Sequence, residues 1–199
     1  MLRKTFLVLF ILISGMIYSQ TAKLNEPAPN FTLKDSNGKE HSLNDFKDKI
    51  VVLEWINFEC PFVKKHYNSN NMQMLQEKYG EKGIVWLAIC SSAKSKQGNF
   101  SNKEINKRTK SNKAKYAAYL VDEDGKVGKM YGAKTTPHMY IIDMNGKLVY
   151  AGAIDDKPST DTDDIESAKN YVSAALDELL EGKEVSIQSS TPYGCSVKY

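Results

Sequence analysis

The sequence predicts an α/β domain built on a central mixed β-sheet flanked by helices. Three observations carry this. Two apolar runs, Ile50–Trp55 (IVVLEW) and Ile84–Cys90 (IVWLAIC), are short, continuous and β-branched, as strands buried on both faces are. Each is followed by a segment with helix signals. The chain then closes with an antiparallel hairpin, His138–Ile142 and Lys147–Ala151, and apolar residues at helical spacing over Ile165–Leu180. Alternation of strand and helix gives parallel pairs, and a closing hairpin adds antiparallel ones.

The elements follow in order. Thr21–Pro29 is a polar, proline-punctuated entry arm, and Phe31–Ser42 reads as an N-terminal β-hairpin turning at Asp35-Ser36-Asn37-Gly38. After the first buried strand, Ile56–Glu59 leads into Cys60. Pro61 suits the first position of a helix, where its missing N–H would be unpaired anyway. That helix is expected to run to about Tyr79, ended by Gly80 and Gly83. Beyond the second strand, Ser101 caps a lysine-rich helix to about Ser111, Ala118–Val121 is a short strand and Gly125–Tyr131 a short helix. The hairpin turns at Asp143-Met144-Asn145-Gly146, the last helix ends at Gly182, and Lys183–Tyr199 is a polar C-terminal tail.

The first residues stand apart from this fold. Arg3 and Lys4, the apolar run Phe6–Ile13 and the small or polar residues up to Ser19-Gln20 have the layout of a secretory signal peptide. Even extended to Ile17, the run is short for a membrane span of roughly 20 residues. The expected organisation is therefore a signal peptide over residues 1–19, a domain over 20–182 and a tail over 183–199 carrying Cys195. The expected location is outside the cytoplasm, periplasmic or extracellular, with no stable membrane association after processing.

The whole chain carries 27 basic and 24 acidic residues, a net charge of +3; without Arg3 and Lys4 the balance is 25 − 24, or +1. A near-neutral domain gives no electrostatic reason for a nucleic-acid partner. Three cysteines, Cys60, Cys90 and Cys195, are too few for a disulfide scaffold, and an odd number leaves at least one thiol free.

Cys60 is the chemical centre. A thiol between a buried strand and a helix sits at the positive end of the helix dipole, near unpaired backbone N–H groups, and both favour the thiolate. Lys64 adds to this, Glu59 opposes it, and the flanking charges suggest an exposed helix start. Glu54, inside IVVLEW, is either a solvated strand end or a buried carboxyl with a raised pKa that could exchange a proton with the thiol. Cys90 ends an apolar strand and is most simply a small buried hydrophobe. His66 and His138 have no Cys or His around them at metal-ligand spacing, so neither metal nor cofactor is expected.

A wider pattern joins these pieces. Glu54-Trp55, Cys60-Pro61-Phe62-Val63, Lys65-His66-Tyr67, Thr136-Pro137-His138-Met139-Tyr140 and the ending Pro192-Tyr193-Gly194-Cys195-Ser196-Val197-Lys198-Tyr199 resemble the thioredoxin superfamily. Within it the chain most resembles the redoxin branch of alkyl hydroperoxide reductase and thiol-specific antioxidant proteins, in an exported, peroxiredoxin-like subgroup. The resemblance runs from about Lys23 to Tyr199. It implies a thioredoxin-like fold, a cis Thr136–Pro137 peptide facing the active thiol, and Glu54 near the buried carboxylate of thioredoxins.

The chain also departs from its relatives. A thioredoxin has a second cysteine three residues after the first; here that residue is Val63. A peroxiredoxin has threonine or serine three before its cysteine and proline seven before; here these are Asn57 and Leu53. Asn57 could still donate a hydrogen bond to a bound peroxide.

Two readings follow. One is a thiol-dependent oxidoreductase in which Cys60 attacks a peroxide or a protein or small-molecule disulfide and is restored by an external thiol reductant. The other is a non-catalytic binding module with a static disulfide. Cys195, in a polar tail with no core role of its own, is the expected partner of Cys60, and Cys90 is the competitor. Fourteen residues from Glu181 to Cys195 can span up to about 45 Å, so reach does not forbid the pairing.

Overall fold

The computed structural model describes residues 21–199, so the proposed signal peptide lies outside the described residues. Strands β1 (Thr32–Asp35) and β2 (Glu40–Ser42) form the N-terminal hairpin, and β3 (Val51–Trp55) leads to helix α1 (Pro61–Asn68). Helix α2 (Asn71–Gly80), β4 (Val85–Cys90), α3 (Asn102–Ser111), β5 (Ala118–Val121) and α4 (Lys126–Tyr131) follow. A two-residue strand β6 (Thr135–Thr136) precedes the hairpin β7 (His138–Ile142) and β8 (Leu148–Gly152). Helices α5 (Asp164–Ser167) and α6 (Tyr171–Leu180) come next, and β9 (Cys195–Ser196) lies in the tail.

Seven strands make one sheet in the order β2-β1-β5-β4-β3-β7-β8. β3, β4 and β5 are parallel, while β7 runs antiparallel to β3 and to β8. The two central runs are buried throughout apart from Val85, which explains their lack of apolar–polar alternation. Because side chains alternate along a strand, β3 sends Val52 to one core and Val51, Leu53 and Trp55 to the other. Cys60 belongs to the Val52 side.

Two expected helices are each divided. The helix expected from Pro61 to Tyr79 breaks at Ser69 and Asn70, where Asn70 adopts φ 62°. Asparagine tolerates this left-handed conformation, and Ser and Asn side chains compete for backbone groups, so the apolar spacing continues while the helix does not. Likewise Ile165–Leu180 divides into α5 and α6. Asn170 starts α6 by accepting the Ser173 N–H at 2.9 Å.

The tail is more than a polar appendage. Val185 joins a core cluster, with Tyr193 and Cys195 packed against it. Ser190 Oγ accepts the Ala153 N–H at 2.9 Å and bonds the Tyr150 hydroxyl at 2.7 Å. Farther on, Val197 N–H donates to the Lys134 carbonyl, Ala93 N–H to the Lys198 carbonyl, and the Tyr199 hydroxyl to the Ala133 carbonyl. The tail is a strap across the end of the sheet where Cys60 lies.

Candidate active site

Cys60 is the N-cap residue of α1, with Pro61 at the first helical position. Its thiol donates to the Thr136 carbonyl at 3.0 Å, and the Thr136–Pro137 peptide is cis. Thr136 pairs in antiparallel register with Cys195 through β6 and β9. The cis peptide, the strap and the helix start therefore meet at one point, and the Cys195 side chain hydrogen-bonds the Cys60 thiol.

Gly194 makes this approach possible. Its φ is +133°, and a Cβ there would lie 2.1 Å from the Thr136 carbonyl oxygen. Only a residue without a side chain lets the strap run this close.

The strap covers the thiol: Cys60 is 0 % exposed. The sequence suggested an exposed helix start from the flanking charges, but the charges point away from the thiol. Lys64 is exposed, while Glu59 pairs with Arg108 Nη2 at 3.6 Å.

Burial raises the pKa of Cys60. Hydrogen bonds from the Cys195 thiol, Thr136 and backbone groups of Cys195 and Val63 lower it, and the balance leaves Cys60 below its ordinary value. Cys195 is pushed up to about 11, by burial first and then by its hydrogen bond to Cys60. Cys60 therefore ionises before Cys195. Thr136 Oγ1 is buried, and the thiolate of Cys60 is the group that its hydroxyl serves.

Cys90 has a different partner. Its thiol faces the Gly98 carbonyl at 3.6 Å, and burial pushes its pKa up to about 11. Asn57 is buried, with its carbonyl accepting the Glu59 N–H at 3.0 Å and its amide facing the Gln97 carbonyl at 3.5 Å. The Asn57 amide also packs against Gly98.

Glu54 is wholly buried on β3. Its carboxylate accepts from Trp86 Nε1 at 2.8 Å, Gln76 Nε2 at 3.1 Å and the Tyr67 hydroxyl at 3.1 Å. Burial outweighs these donors and raises its pKa to about 7. Cys60 is not among its hydrogen-bond partners.

A second polar cluster lies under the strap, and sequence reasoning did not assemble it. Lys65, His66 and Asp155 are all buried, and the Tyr193 hydroxyl reaches His66 and Asp155. Their side chains come from α1, the segment after β8 and the tail, so no short motif joins all four. The nearest signal is that Lys65-His66 adjoins Val63 and Tyr67 on the inward face of α1. No cluster of three or more His, Cys, Asp or Glu suited to a metal ion occurs among the described residues.

The family model described as Redoxin matches residues 23–170. The chain belongs to the Redoxin family. It is 28 % identical over 127 residues to the thiol-disulfide oxidoreductase ResA of Bacillus thuringiensis, covering 64 % of this chain and 68 % of that protein. It is 24 % identical over 161 residues to a probable glutathione peroxidase of Arabidopsis thaliana, covering 62 % of this chain and 94 % of that one. An uncharacterized conserved protein from Geobacillus kaustophilus shares the fold, with a TM-score of 0.75 and 32 % identity. That match covers 89 % of this chain and 92 % of the other. The fold is thus thioredoxin-like, as the sequence resemblance implied, and the chain is a thiol-based oxidoreductase.

Proposed function

We propose that Cys60 is the redox nucleophile and Cys195 its resolving thiol in thiol–disulfide exchange. The observation that carries this is the ladder that holds Cys195 opposite Thr136, whose carbonyl receives the Cys60 thiol. In the reducing direction, the Cys60 thiolate attacks a disulfide RS–SR′, forming a Cys60–SR mixed disulfide and releasing R′S⁻. Cys195, as thiolate, then attacks the Cys60 sulfur and expels RS⁻. Two electrons pass from the cysteines to the substrate, and an external thiol reductant restores the pair. The lowered pKa of Cys60 supports its part as attacker.

Thr136 is assigned a double part. Its carbonyl accepts the thiol's hydrogen bond in the resting form, and its buried hydroxyl donates to the thiolate once the proton has left. Pro137 stands between Thr136 and β7 and, lacking an N–H, adds no backbone donor there. Glu54 is assigned as a buried proton reservoir behind the site, because its pKa near 7 lets it change charge at working pH.

A protein or small-molecule disulfide is favoured over a peroxide. Asn57, the residue that would greet a peroxide, spends its side chain on Glu59 and Gln97. The protein is proposed to act outside the cytoplasm after cleavage near Ser19, as domain 20–182 with a working tail 183–199; the basic start and the apolar run support this. The test is to mix reduced protein with a small disulfide or with hydrogen peroxide and time thiol loss. Faster loss with the disulfide, abolished in Cys60→Ser, is the expected result. Faster loss with peroxide would transfer the assignment to peroxide reduction.

A further inference from the structure

Tyr193, two residues before Cys195, ends in a buried polar socket. The Asn71 amide donates to His66 Nδ1 at 2.9 Å, which leaves Nε2 as the protonated nitrogen of a neutral ring. His66 Nε2 lies 3.2 Å from the Tyr193 hydroxyl, and that hydroxyl donates in turn to Asp155 Oδ1. Lys65 Nζ, with its side chain fully buried, donates to the Lys157 carbonyl at 2.8 Å and lies 3.9 Å from Asp155 Oδ2. The Tyr193 ring packs on Phe62, centroids 5.8 Å apart. The hydroxyl is thus satisfied as acceptor and donor by groups that are themselves held in place.

We propose that Asn71, Lys65, His66 and Asp155 form a docking socket for the Tyr193 hydroxyl, which makes Tyr193 the positioning residue that sets Cys195 against Cys60. This rests on the assignment of Cys195 as the resolving thiol.

The chemistry of the socket fits a contact that must open and close. Cys60 is covered by the strap, so a disulfide substrate reaches it only when the segment around Cys195 lifts. An aromatic ring locked in an apolar core would resist that. A hydroxyl on polar groups does not, because water replaces both hydrogen bonds as the tyrosine leaves. Lys65 stays beside Asp155 when the socket empties, so no buried charge is left alone. On return, the socket restores a high local concentration of Cys195 at the Cys60–SR mixed disulfide. The Cys195 thiolate then supplies the electron pair of the new S–S bond to Cys60, and the pair of the broken Cys60–SR bond leaves with RS⁻.

The experiment uses the full chain and the aromatic disulfide dithionitrobenzoate, whose released thiolate is coloured. Attack by Cys60 releases the first equivalent, and resolution by Cys195 the second. Tyr193→Phe keeps the ring and removes both hydrogen bonds. The expected result is a second release slowed about tenfold and alkylation of reduced Cys60 accelerated about tenfold, with Cys90 as protected as before. Cys90 separates local opening of the strap from general loosening. If Cys195→Ser stalls after one equivalent while Tyr193→Phe matches the unsubstituted protein in both rates, the socket has no such role. If Cys90 opens in step with Cys60, Tyr193 is only structural and the proposal is overturned. If Cys195→Ser itself releases both equivalents at the normal rate, the assignment of Cys195 fails instead.

Discussion

Cys195 faces Thr136 across a two-residue antiparallel ladder, and the carbonyl of that same threonine receives the thiol hydrogen of Cys60 at 3.0 Å. One backbone position therefore holds both sulfurs.

Replacing Cys60 by serine should abolish disulfide exchange and leave the fold intact. The hydroxyl keeps a donor for the Thr136 carbonyl, so the cost is expected at about 1 kcal/mol, a fall of roughly 2–4 °C in Tm. Turnover by a stirred assay and a thermal scan check both halves. Residual turnover would place the nucleophile elsewhere.

Cys195→Ala should raise the pKa of Cys60. It removes the side-chain hydrogen bond that helps hold Cys60 below its ordinary value, while the opposing effect of burial remains. The thiolate absorbance of the variant should appear at higher pH than that of the unsubstituted protein. An unchanged or lower midpoint would mean that the two thiols do not communicate.

Gly194→Ala tests the close pass of the strap. With φ at +133° and the new Cβ 2.1 Å from the Thr136 oxygen, the ladder must shift. Intramolecular disulfide formation should slow by about tenfold or more, with a loss of stability of about 1–3 kcal/mol. Both are read from quenched thiol counts and from denaturant midpoints. A disulfide forming at the normal rate would show that the strap is not needed in this register.

The buried carboxyl of Glu54 should make stability fall as pH rises. Its pKa goes from an ordinary 4.5 to about 7 in the folded chain, so between these values the folded state holds a proton that the unfolded state has released. Stability therefore declines across that window by up to about 3 kcal/mol. Glu54→Gln stays neutral and should remove this part of the slope. Urea midpoints of the two proteins at about pH 5 and pH 8 give the comparison; parallel slopes would contradict it. His66 acts in the opposite sense, since burial lowers its pKa to about 3 and its contribution is lost as pH falls from about 6.5. The difference between the two proteins isolates Glu54.

Strands and the helix start were legible because their signals are local. The β-branched runs name β3 and β4, and Pro61 marks the helix that presents Cys60. The divided helices were not legible: apolar spacing continues through Asn70, and only the left-handed backbone there records the break. Burial of Cys60 was equally hidden, because its cover comes from the far end of the chain. Cys195 could be singled out from an odd cysteine in a polar tail, but the socket for Tyr193 could not. Lys65-His66 and Tyr193 stand in motifs that carry the family resemblance, but only folding sets them beside Asp155, away from water.

The most direct test is peptide mapping of the oxidised protein without reduction. The account predicts one linked peptide, Cys60–Cys195, which forms on oxidation, leaves Cys90 as a free thiol and disappears with mild reductant. A Cys60–Cys90 link would contradict it, as would a Cys60–Cys195 link that mild reductant fails to open.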